Sequence, residues 1–331
     1  MKRRQILGLF ASTMALSQMP LLALTKEQSI NAELFEWRGI ALGADAQLKI
    51  YLKDKGQGDT LLKAVLLEVE RLERLFSLYR EDSVISRLNK AGEVSDFAND
   101  FYWLMSLADE YVKITQGAFD PTVQILWETY RDALVAQPDL GAESLSESIA
   151  QVQHLVGWDG IVIEPNYIRL AKVGQTVTLN GIAQGFITDR IRDLLQRHGV
   201  NHALINMGEI RGLVPPDTAP WTVGIADPDD NGTWLREVEL GNQAMATSSP
   251  KGTYLSYENN IGHIFNPNTS QAVNRYLSVT VIAPTAAQAD ALATAFSIMP
   301  LEAINNVLMQ LNKVQVKILN NQRQWLELKS T

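Results

Sequence analysis

The sequence predicts a single α+β domain in which a mainly antiparallel sheet is packed with helices. Strand-like and helix-like segments alternate along the chain without a strict strand–helix–strand rhythm, which favours antiparallel over parallel pairing. The 331 residues are 46% hydrophobic, enough to bury one large core or two modest ones. No internal repeat, low-complexity tract or linker divides the chain. We therefore expect one domain.

The composition excludes several classes of site and partner. The chain has no cysteine, which excludes disulfides, thiolate metal sites, a cysteine nucleophile and lipid attachment through cysteine. The formal net charge of −8 gives no electrostatic reason to expect nucleic acid or an anionic membrane as a partner. An anionic ligand would therefore need local help from a cation or from backbone donors.

The N-terminus predicts export. Basic residues 2–4 precede an uncharged run over residues 5–24 that polar residues and a proline interrupt, so the run is a poor membrane span. We interpret residues 1–25 as an export signal, and the paired arginines are typical of the twin-arginine route. The domain would occupy residues 30–331 and lie in the periplasm. An uncleaved signal that holds the protein at the inner membrane is the alternative.

The first quarter of the chain predicts a strand and an amphipathic helix. Residues 46–52 alternate between apolar and polar, as in a half-buried strand. Asp59 is then predicted to cap a helix with a buried apolar stripe. The stripe comprises Leu61, Val65, Val69, Leu72 and Phe76. A polar loop and a short helix follow over residues 76–89, where Tyr79 either stacks on a flat ring or simply closes the first helix.

A second amphipathic helix is predicted over residues 100–116, and Gly117 ends it. In the turn that follows, Asp120 precedes Pro121 and is therefore biased away from helical geometry. Further along, we predict a hairpin and three strands: residues 161–170, 202–207, 221–226 and 277–283.

The stretch T-L-N-G-I-A-Q-G-F-I-T-D, residues 178–189, predicts a strand, a tight turn and a helix over residues 182–198. Gly181 and Gly185 remove side chains where the helix begins, so backbone N–H groups could approach an anion such as a diphosphate. The alternative is an ordinary connection that needs glycine for its turn, since the pattern is neither a Rossmann fingerprint nor a Walker loop.

A second stretch, residues 284–296, predicts a helix capped by Thr285, with Asp290 and Thr294 on one face. The neighbouring side chains are apolar, and an isolated carboxylate is costly to bury unless a positive charge meets it. The helix contains no lysine or arginine, so a divalent cation such as Mg²⁺ is the simplest partner. Alternatively, Asp290 lies at an exposed edge and Thr294 bonds back to a carbonyl.

Six segments of the chain carry a resemblance to a known family. They are L-N-G-I-A-Q-G-F, G-A-F-D-P-T-V, S-L-Y-R-E-D-S-V-I-S-R-L-N, A-L-I-N-M-G-E-I, H-I-F-N-P and A-D-A-L-A-T. Together they resemble the FAD:protein FMN transferases, the ApbE family, over residues 42–294. This resemblance implies a T-fold-like single domain. The further segments M-G-E-I-R and T-S-S-P-K-G-T-Y resemble the branch associated with nitrous oxide respiration.

The resemblance implies a Mg²⁺-dependent reaction that moves the FMN half of FAD onto a threonine hydroxyl of a partner protein and releases AMP. The acceptor would belong to an exported or membrane redox complex. Two alternatives use the same residues: an exported FAD-binding protein that modifies nothing, and an FAD diphosphatase with water as the nucleophile. No nucleic acid is expected.

The family's functional positions transfer residue by residue. Asp290 and Thr294 match its metal-binding positions, joined by backbone oxygens of Gly181 and Ala293. The positions that match flavin-nucleotide contacts are Leu42, Tyr79, Ala118, Phe119, Asp120, Asn180, Gln184 and Ile264.

Two departures from the family pattern affect the predicted chemistry. Thr178 stands where many members have aspartate, and Asn266 replaces the aspartate common in H-I-x-D-P. Thr178 stays a candidate catalytic position, but His263 becomes the preferred proton acceptor because imidazole titrates near neutral pH. The alternative for His263 is a structural role closing a strand turn.

Overall fold

The protein is described by a computed structural model that covers residues 32–41, 44–54, 56–137, 142–256 and 261–330. The predicted export signal and the predicted nucleotide contact Leu42 lie outside these ranges. Within them, every helix is too short or too polar to cross a membrane.

The described residues form seventeen strands and eight α-helices. The strands are β1 (Glu33–Ala41), β2 (Ala44–Leu52), β3 (Glu93–Ser95), β4 (Val162–Glu164), β5 (Tyr167–Arg169), β6 (Ala203–Met207), β7 (Ile210–Leu213), β8 (Trp221–Asp227), β9 (Asp230–Leu240), β10 (Ala244–Ser248), β11 (Tyr254–Ser256), β12 (Ile261–Gly262), β13 (Phe265–Asn266), β14 (Gln271–Ala272), β15 (Ser278–Ala283), β16 (Gln315–Leu319) and β17 (Trp325–Lys329). The helices are α1 (Gln57–Phe76), α2 (Val84–Ala91), α3 (Asn99–Ile114), α4 (Gln124–Ala136), α5 (Ala142–Val152), α6 (Ala183–Arg197), α7 (Ala286–Ile298) and α8 (Leu301–Leu308).

The main sheet has eight strands in the order β1-β2-β6-β7-β10-β15-β16-β17. Every neighbouring pair in it is antiparallel. The hairpin predicted over residues 161–170 is present as β4 and β5, which join β3 in a small separate sheet. The prediction of an α+β fold with a mainly antiparallel sheet is confirmed.

The larger hydrophobic core lies between one face of this sheet and the helices. The stripe predicted for α1 is confirmed, because all five of its residues are buried. The predicted cap is wrong: the helix begins after Gly56, and Asp59 lies in its first turn, where its charge favours the positive end of the helix. Helix α7 is buried almost all round because α6, β10 and β15 surround it.

The strand predicted ahead of Gly181 is wrong. Residues 171–182 form no strand, and Val173 is fully exposed. Val177 is buried, but its backbone groups are satisfied by a side chain: the Asn89 amide donates to the Val177 carbonyl at 2.8 Å and accepts from its N–H at 2.8 Å. Because an asparagine of α2 replaces the neighbouring strand, the apolar alternation does not produce a ladder.

The other face of the sheet carries a second, smaller core under the β8–β9 hairpin. Successive strand residues point to opposite faces, so Leu204 of β6 joins this core whereas its neighbours join the larger one. His202 is 5% exposed, with its ring centroid 4.5 Å from that of Tyr51 and 4.9 Å from that of Trp221. Burial lowers the pKa of His202.

Candidate active site

The two stretches singled out in the sequence meet at Gly181. A Cβ atom at this position would lie 2.9 Å from the Thr294 hydroxyl and 3.3 Å from the Phe119 ring. The turn before α6, the face of α7 and the loop after α3 therefore converge on one glycine. The predicted proximity of Gly181 and Thr294 is confirmed, and Phe119 joins them.

Gly185 brings α6 and α7 into direct backbone contact. A Cβ atom there would lie 2.3 Å from the Ala286 carbonyl oxygen, so only glycine fits. Its N–H donates to Asp290 Oδ2 at 3.0 Å. The interpretation of Gly185 as an open donor for an anion is therefore wrong, because helix packing requires the glycine and a carboxylate of the protein occupies its N–H.

Asp290 is buried in the protein interior. It is 4% exposed, which rules out the alternative of an exposed edge. Burial raises the pKa of Asp290 to about 7, and the hydrogen bond from Gly185 opposes that rise. On the same face of α7, the Thr294 hydroxyl lies 3.5 Å from the Ser248 hydroxyl at the end of β10.

Glu209 is a second acidic side chain of this region, and no role was predicted for it. Burial raises the pKa of Glu209 well above its usual range, and the charge of Asp290 raises it further, whereas a hydrogen bond from the Thr247 backbone opposes the rise. The available sequence signal was its place in A-L-I-N-M-G-E-I, where a glutamate directly follows a glycine turn at the end of a buried strand.

These oxygen donors fit a magnesium ion. In the described ranges no group of three or more histidine or acidic residues could hold a metal, so hydroxyl, carbonyl and substrate oxygens would have to complete the coordination. Mg²⁺ prefers such a set, with one or two carboxylates and phosphate oxygens. Thr294 lies against the backbone of Gly181, and Asp290, one turn earlier on α7, accepts from the Gly185 N–H. The role of both residues as metal ligands stays a prediction. Ala293 is fully buried within α7, and the role of its carbonyl stays a prediction.

His263 lies between β12 and β13 and is only partly exposed. Its Nδ1 donates to the Thr253 carbonyl at 3.1 Å, which leaves the lone pair on Nε2. Burial lowers the pKa of His263, so the neutral ring dominates at neutral pH. The bond anchors a strand turn, as the structural alternative predicts, and it leaves Nε2 as the ring atom that can accept a proton. The catalytic role of His263 stays a prediction. The carbonyl of the next residue, Ile264, accepts from the Val273 N–H at 3.0 Å.

The connection between the metal and histidine regions is short in sequence. Ser248 lies beside Thr294, and the chain then runs through a 3₁₀ turn over Pro250–Gly252 to Thr253, whose carbonyl holds His263. Six residues, 248–253, therefore link the two parts of the predicted site.

The Asp120 loop is tied to the turn at Gly181. Asp120 Oδ1 accepts from the Thr122 N–H at 2.8 Å and from its hydroxyl at 2.6 Å, and burial raises the pKa of Asp120. The Pro121 carbonyl accepts from the Thr178 N–H at 2.9 Å. The Thr178 hydroxyl in turn accepts from the Asn180 N–H at 3.1 Å, so Thr178 stabilises the turn that presents Gly181.

The loop residues before Asp120 are placed by α3. The Phe119 N–H donates to the Thr115 hydroxyl at 2.9 Å, and the Ala118 N–H donates to the Thr115 carbonyl at 3.1 Å. The Thr115 hydroxyl itself donates to the Tyr111 carbonyl at 2.6 Å. The end of the helix therefore fixes the loop that contacts Gly181.

Gln184 and Tyr79 differ in how closely they join the site. Gln184 lies against Gly208, since a Cβ atom at Gly208 would be 2.7 Å from its amide group, and this places it beside Glu209. Tyr79 is 64% exposed and its N–H donates to the Ser77 hydroxyl at 3.2 Å. The segment that carries Tyr79 reaches the site through Asn89, and stacking of Tyr79 on a flavin stays a prediction.

Solved structures of known proteins share this architecture. The flavin transferase ApbE from Vibrio cholerae superposes with a TM-score of 0.76 and 27% identity, covering 91% of this chain and 98% of that one. The ApbE protein from Thermotoga maritima gives a TM-score of 0.75 and 26% identity over 90% of this chain and 97% of that one. The fold of this chain is thus shared with flavin transferases.

The family model named ApbE family matches residues 42–318. The chain belongs to the ApbE family, and the resemblance to this family drawn from its sequence is confirmed. Membership of the branch associated with nitrous oxide respiration stays a prediction. Among curated relatives, the FAD:protein FMN transferase of Vibrio cholerae is 29% identical over 281 residues, 81% of this chain and 82% of the relative. The protein of the same name from Haemophilus influenzae is 27% identical over 316 residues, 90% of this chain and 88% of the relative.

Proposed function

We propose that this chain transfers the FMN moiety of FAD to a threonine hydroxyl of an acceptor protein, with Mg²⁺ as cofactor and AMP as the leaving product. The named activity of its relatives supports flavin transfer to a protein. The observation that carries the proposal is the buried Asp290 carboxylate, which lies against Gly185 and beside the Gly181–Thr294 contact.

The reaction exchanges one bond at phosphorus. The acceptor oxygen forms a bond to the phosphorus of the FMN half, and the bond from that phosphorus to the bridging oxygen breaks. The bridging oxygen leaves with AMP, and the hydroxyl proton moves to a base. A bound Mg²⁺ would neutralise charge on the diphosphate oxygens, as in other phosphoryl transfers.

The chain's own residues supply the remaining functions. Asp290, Thr294 and the Gly181 backbone hold the cation, and the Asp120 loop with Gln184 contacts the nucleotide. His263 accepts the threonine proton at Nε2, because its Nδ1 proton is engaged by the Thr253 carbonyl. The imidazole is suited to this step since burial keeps it neutral.

A second candidate is FAD binding or FAD hydrolysis without transfer. Thr178 lacks the carboxylate of many relatives and uses its hydroxyl on the Asn180 N–H. Asn266 uses its side-chain oxygen on the Asn268 N–H at 2.9 Å, which shapes a turn. Both side chains thus bind backbone N–H groups, at positions where a carboxylate could assist transfer.

One incubation distinguishes these functions. Purified protein is mixed with FAD, Mg²⁺ and a threonine-containing acceptor domain, and the products are resolved by gel and chromatography. We expect flavin fluorescence on the acceptor with equimolar AMP. An acceptor with valine in place of the threonine should stay unlabelled. Free FMN with AMP would indicate a diphosphatase, and intact FAD would indicate a binding protein.

Export by residues 1–25 belongs to the same proposal. Fractionation of cells that express the full chain should place the protein in the periplasm, whereas a chain without these residues should stay in the cytoplasm. Recovery of the full chain with the membrane fraction would instead indicate an uncleaved signal.

A further inference from the structure

We propose that Glu209 is the second carboxylate of the cation site, so that Mg²⁺ meets two acidic side chains rather than Asp290 alone. The inference deepens the proposed function and rests on it for the identity of the cation. Nothing in the sequence resemblance assigned a role to Glu209, and its placement comes from contacts made by both its backbone and its side chain.

The backbone of Glu209 is fixed over the first turns of α6. The Thr188 hydroxyl lies 3.1 Å from the Glu209 carbonyl oxygen and 2.8 Å from the Gln184 carbonyl oxygen. The Glu209 carbonyl also accepts from the Met207 N–H at 3.2 Å. Glu209 is therefore attached to the same part of α6 whose Gly185 N–H holds Asp290.

The side chain of Glu209 points toward the same region as Asp290. It accepts a hydrogen bond from the backbone of Thr247 on β10, and it interacts electrostatically with Asp290. The next residue along β10, Ser248, approaches Thr294. Two carboxylates and two hydroxyls thus converge between α6, α7 and β10. Glu209 is partly buried, whereas Asp290 is 4% exposed.

The two carboxylates have no basic partner in the described part of the chain. None of the ion pairs formed there includes Glu209 or Asp290. Arg211, on the strand that follows Glu209, instead lies 3.8 Å from Asp189. Neighbouring buried carboxylates repel each other unless a cation or a proton joins them. A divalent cation satisfies both with oxygen ligands of the type that Mg²⁺ prefers.

The test compares cation binding in three proteins: wild type, Glu209→Gln and the matched control Glu239→Gln. Glu239 is an exposed glutamate of β9, so its substitution removes the same charge far from α7. Mg²⁺ binding is measured by calorimetry and Mn²⁺ binding by electron paramagnetic resonance, without FAD or acceptor. We expect Glu209→Gln to weaken binding of both cations by about tenfold or more, with Glu239→Gln unchanged.

Thermal unfolding with and without Mg²⁺ gives a second measurement. Without the cation, Glu209→Gln should melt at or above the wild-type temperature because the repulsion is removed. Added Mg²⁺ should raise the melting temperature of Glu209→Gln by less than it raises that of wild type. The inference would be overturned if Glu209→Gln bound the cations as tightly as wild type and Mg²⁺ raised its melting temperature by as much.

If Glu209→Gln is not folded by circular dichroism, Glu209→Asp replaces it in the binding measurement, because it keeps the charge but draws the carboxylate back by one methylene group. Binding of both cations should then weaken, and an affinity equal to that of wild type would overturn the inference. Flavin transfer by wild type is assayed in parallel. Failure of that transfer with weakened cation binding in Glu209→Gln would refute the proposed function and leave this inference standing.

Discussion

The two faces of the sheet both bury ionisable groups, with opposite consequences. On the helical face, Asp290 and Glu209 lie near each other, and burial raises the pKa of both. On the hairpin face, the His202 ring packs against both Tyr51 and Trp221, and burial lowers the pKa of His202. The hydrophobic environment disfavours the charged form on each face. The helical face also brings hydroxyl oxygens and the close backbone approach of Gly185 to the same region.

This difference separates a functional site from an ordinary core. Burial alone shifts the pKa of a side chain wherever it occurs. A functional site also needs neighbouring groups that can interact with the same ligand, and an opening through which that ligand can enter. We therefore expect substitutions on the helical face to alter turnover, and substitutions on the hairpin face to alter only stability.

The largest effect is expected for Asp290→Ala. Loss of the carboxylate should reduce Mg²⁺-dependent turnover by at least about 10³-fold, because the cation contributes several kcal/mol of charge stabilisation. The variant should stay folded by circular dichroism, since removal of a carboxylate that is costly to bury offsets the lost hydrogen bond from the Gly185 N–H. Turnover by wild type that persists in EDTA would contradict the metal role and remove the contrast between the two faces.

His263→Ala tests the proposed base. The transfer rate should fall by about 10²-fold or more, while FAD affinity measured by flavin fluorescence is retained. Because burial lowers the pKa of His263 from its ordinary value of 6.5, the wild-type rate should stay level as pH falls to 6.5 and decline only below it. An unchanged rate in the variant would assign the base to another group.

Asp189→Asn tests how α7 is positioned. The two carboxylate oxygens of Asp189 accept from the Ala286 and Ala287 N–H groups, each at 3.0 Å. Asparagine offers one acceptor and no charge to this helix end, so the free energy of unfolding should fall by about 2 kcal/mol. Urea denaturation measures this. Asp132→Asn, at a side chain that is 68% exposed, should leave it unchanged.

The smallest effect is expected for His202→Phe on the hairpin face. Neither ring nitrogen of His202 has a hydrogen-bond partner in the described structure, so phenylalanine should be tolerated within about 1 kcal/mol at pH 7.5. Since the folded-state pKa is lowered, the unfolded state binds more protons below pH 6.5 and wild type loses stability there.

His202→Phe should not lose stability in this way. Its free energy of unfolding relative to that of wild type, measured by urea denaturation, should therefore rise as the pH falls from 6.5 to 5.5. His154→Phe, at an exposed position, serves as control. A change in flavin transfer caused by His202→Phe would mean that the two faces are coupled.

Sequence patterns predicted helix α7 and its cap well. Thr285 caps the helix through the Gln288 N–H, as expected, and Asp290 is buried among apolar neighbours, as its surroundings in the sequence indicated. Periodicity also located the stripe of α1, because 3.6-residue spacing reports which face is buried. These features depend on local chain geometry, so local sequence is sufficient to predict them.

The remaining features depend on tertiary contacts. Asn89 meets Val177 across 88 residues of sequence, and this contact turns a predicted strand into an irregular segment. Glu209 approaches Asp290 only because α6 packs on α7 through Gly185. Neither the Asn89–Val177 contact nor the proximity of Glu209 to Asp290 can be predicted from a local sequence pattern. A glycine selected for helix packing looks the same in sequence as one that leaves room for an anion.

The hydrogen bond between Gly185 and Asp290 spans 105 residues of sequence. An unfolded chain has little chance of holding these two groups together, because closing so long a loop costs entropy. If the proposed cation site is present, it would exist only in the folded chain, and bound cation would add to native stability by mass action. The magnesium concentration of the compartment in which folding is completed would then help set the lifetime of the protein.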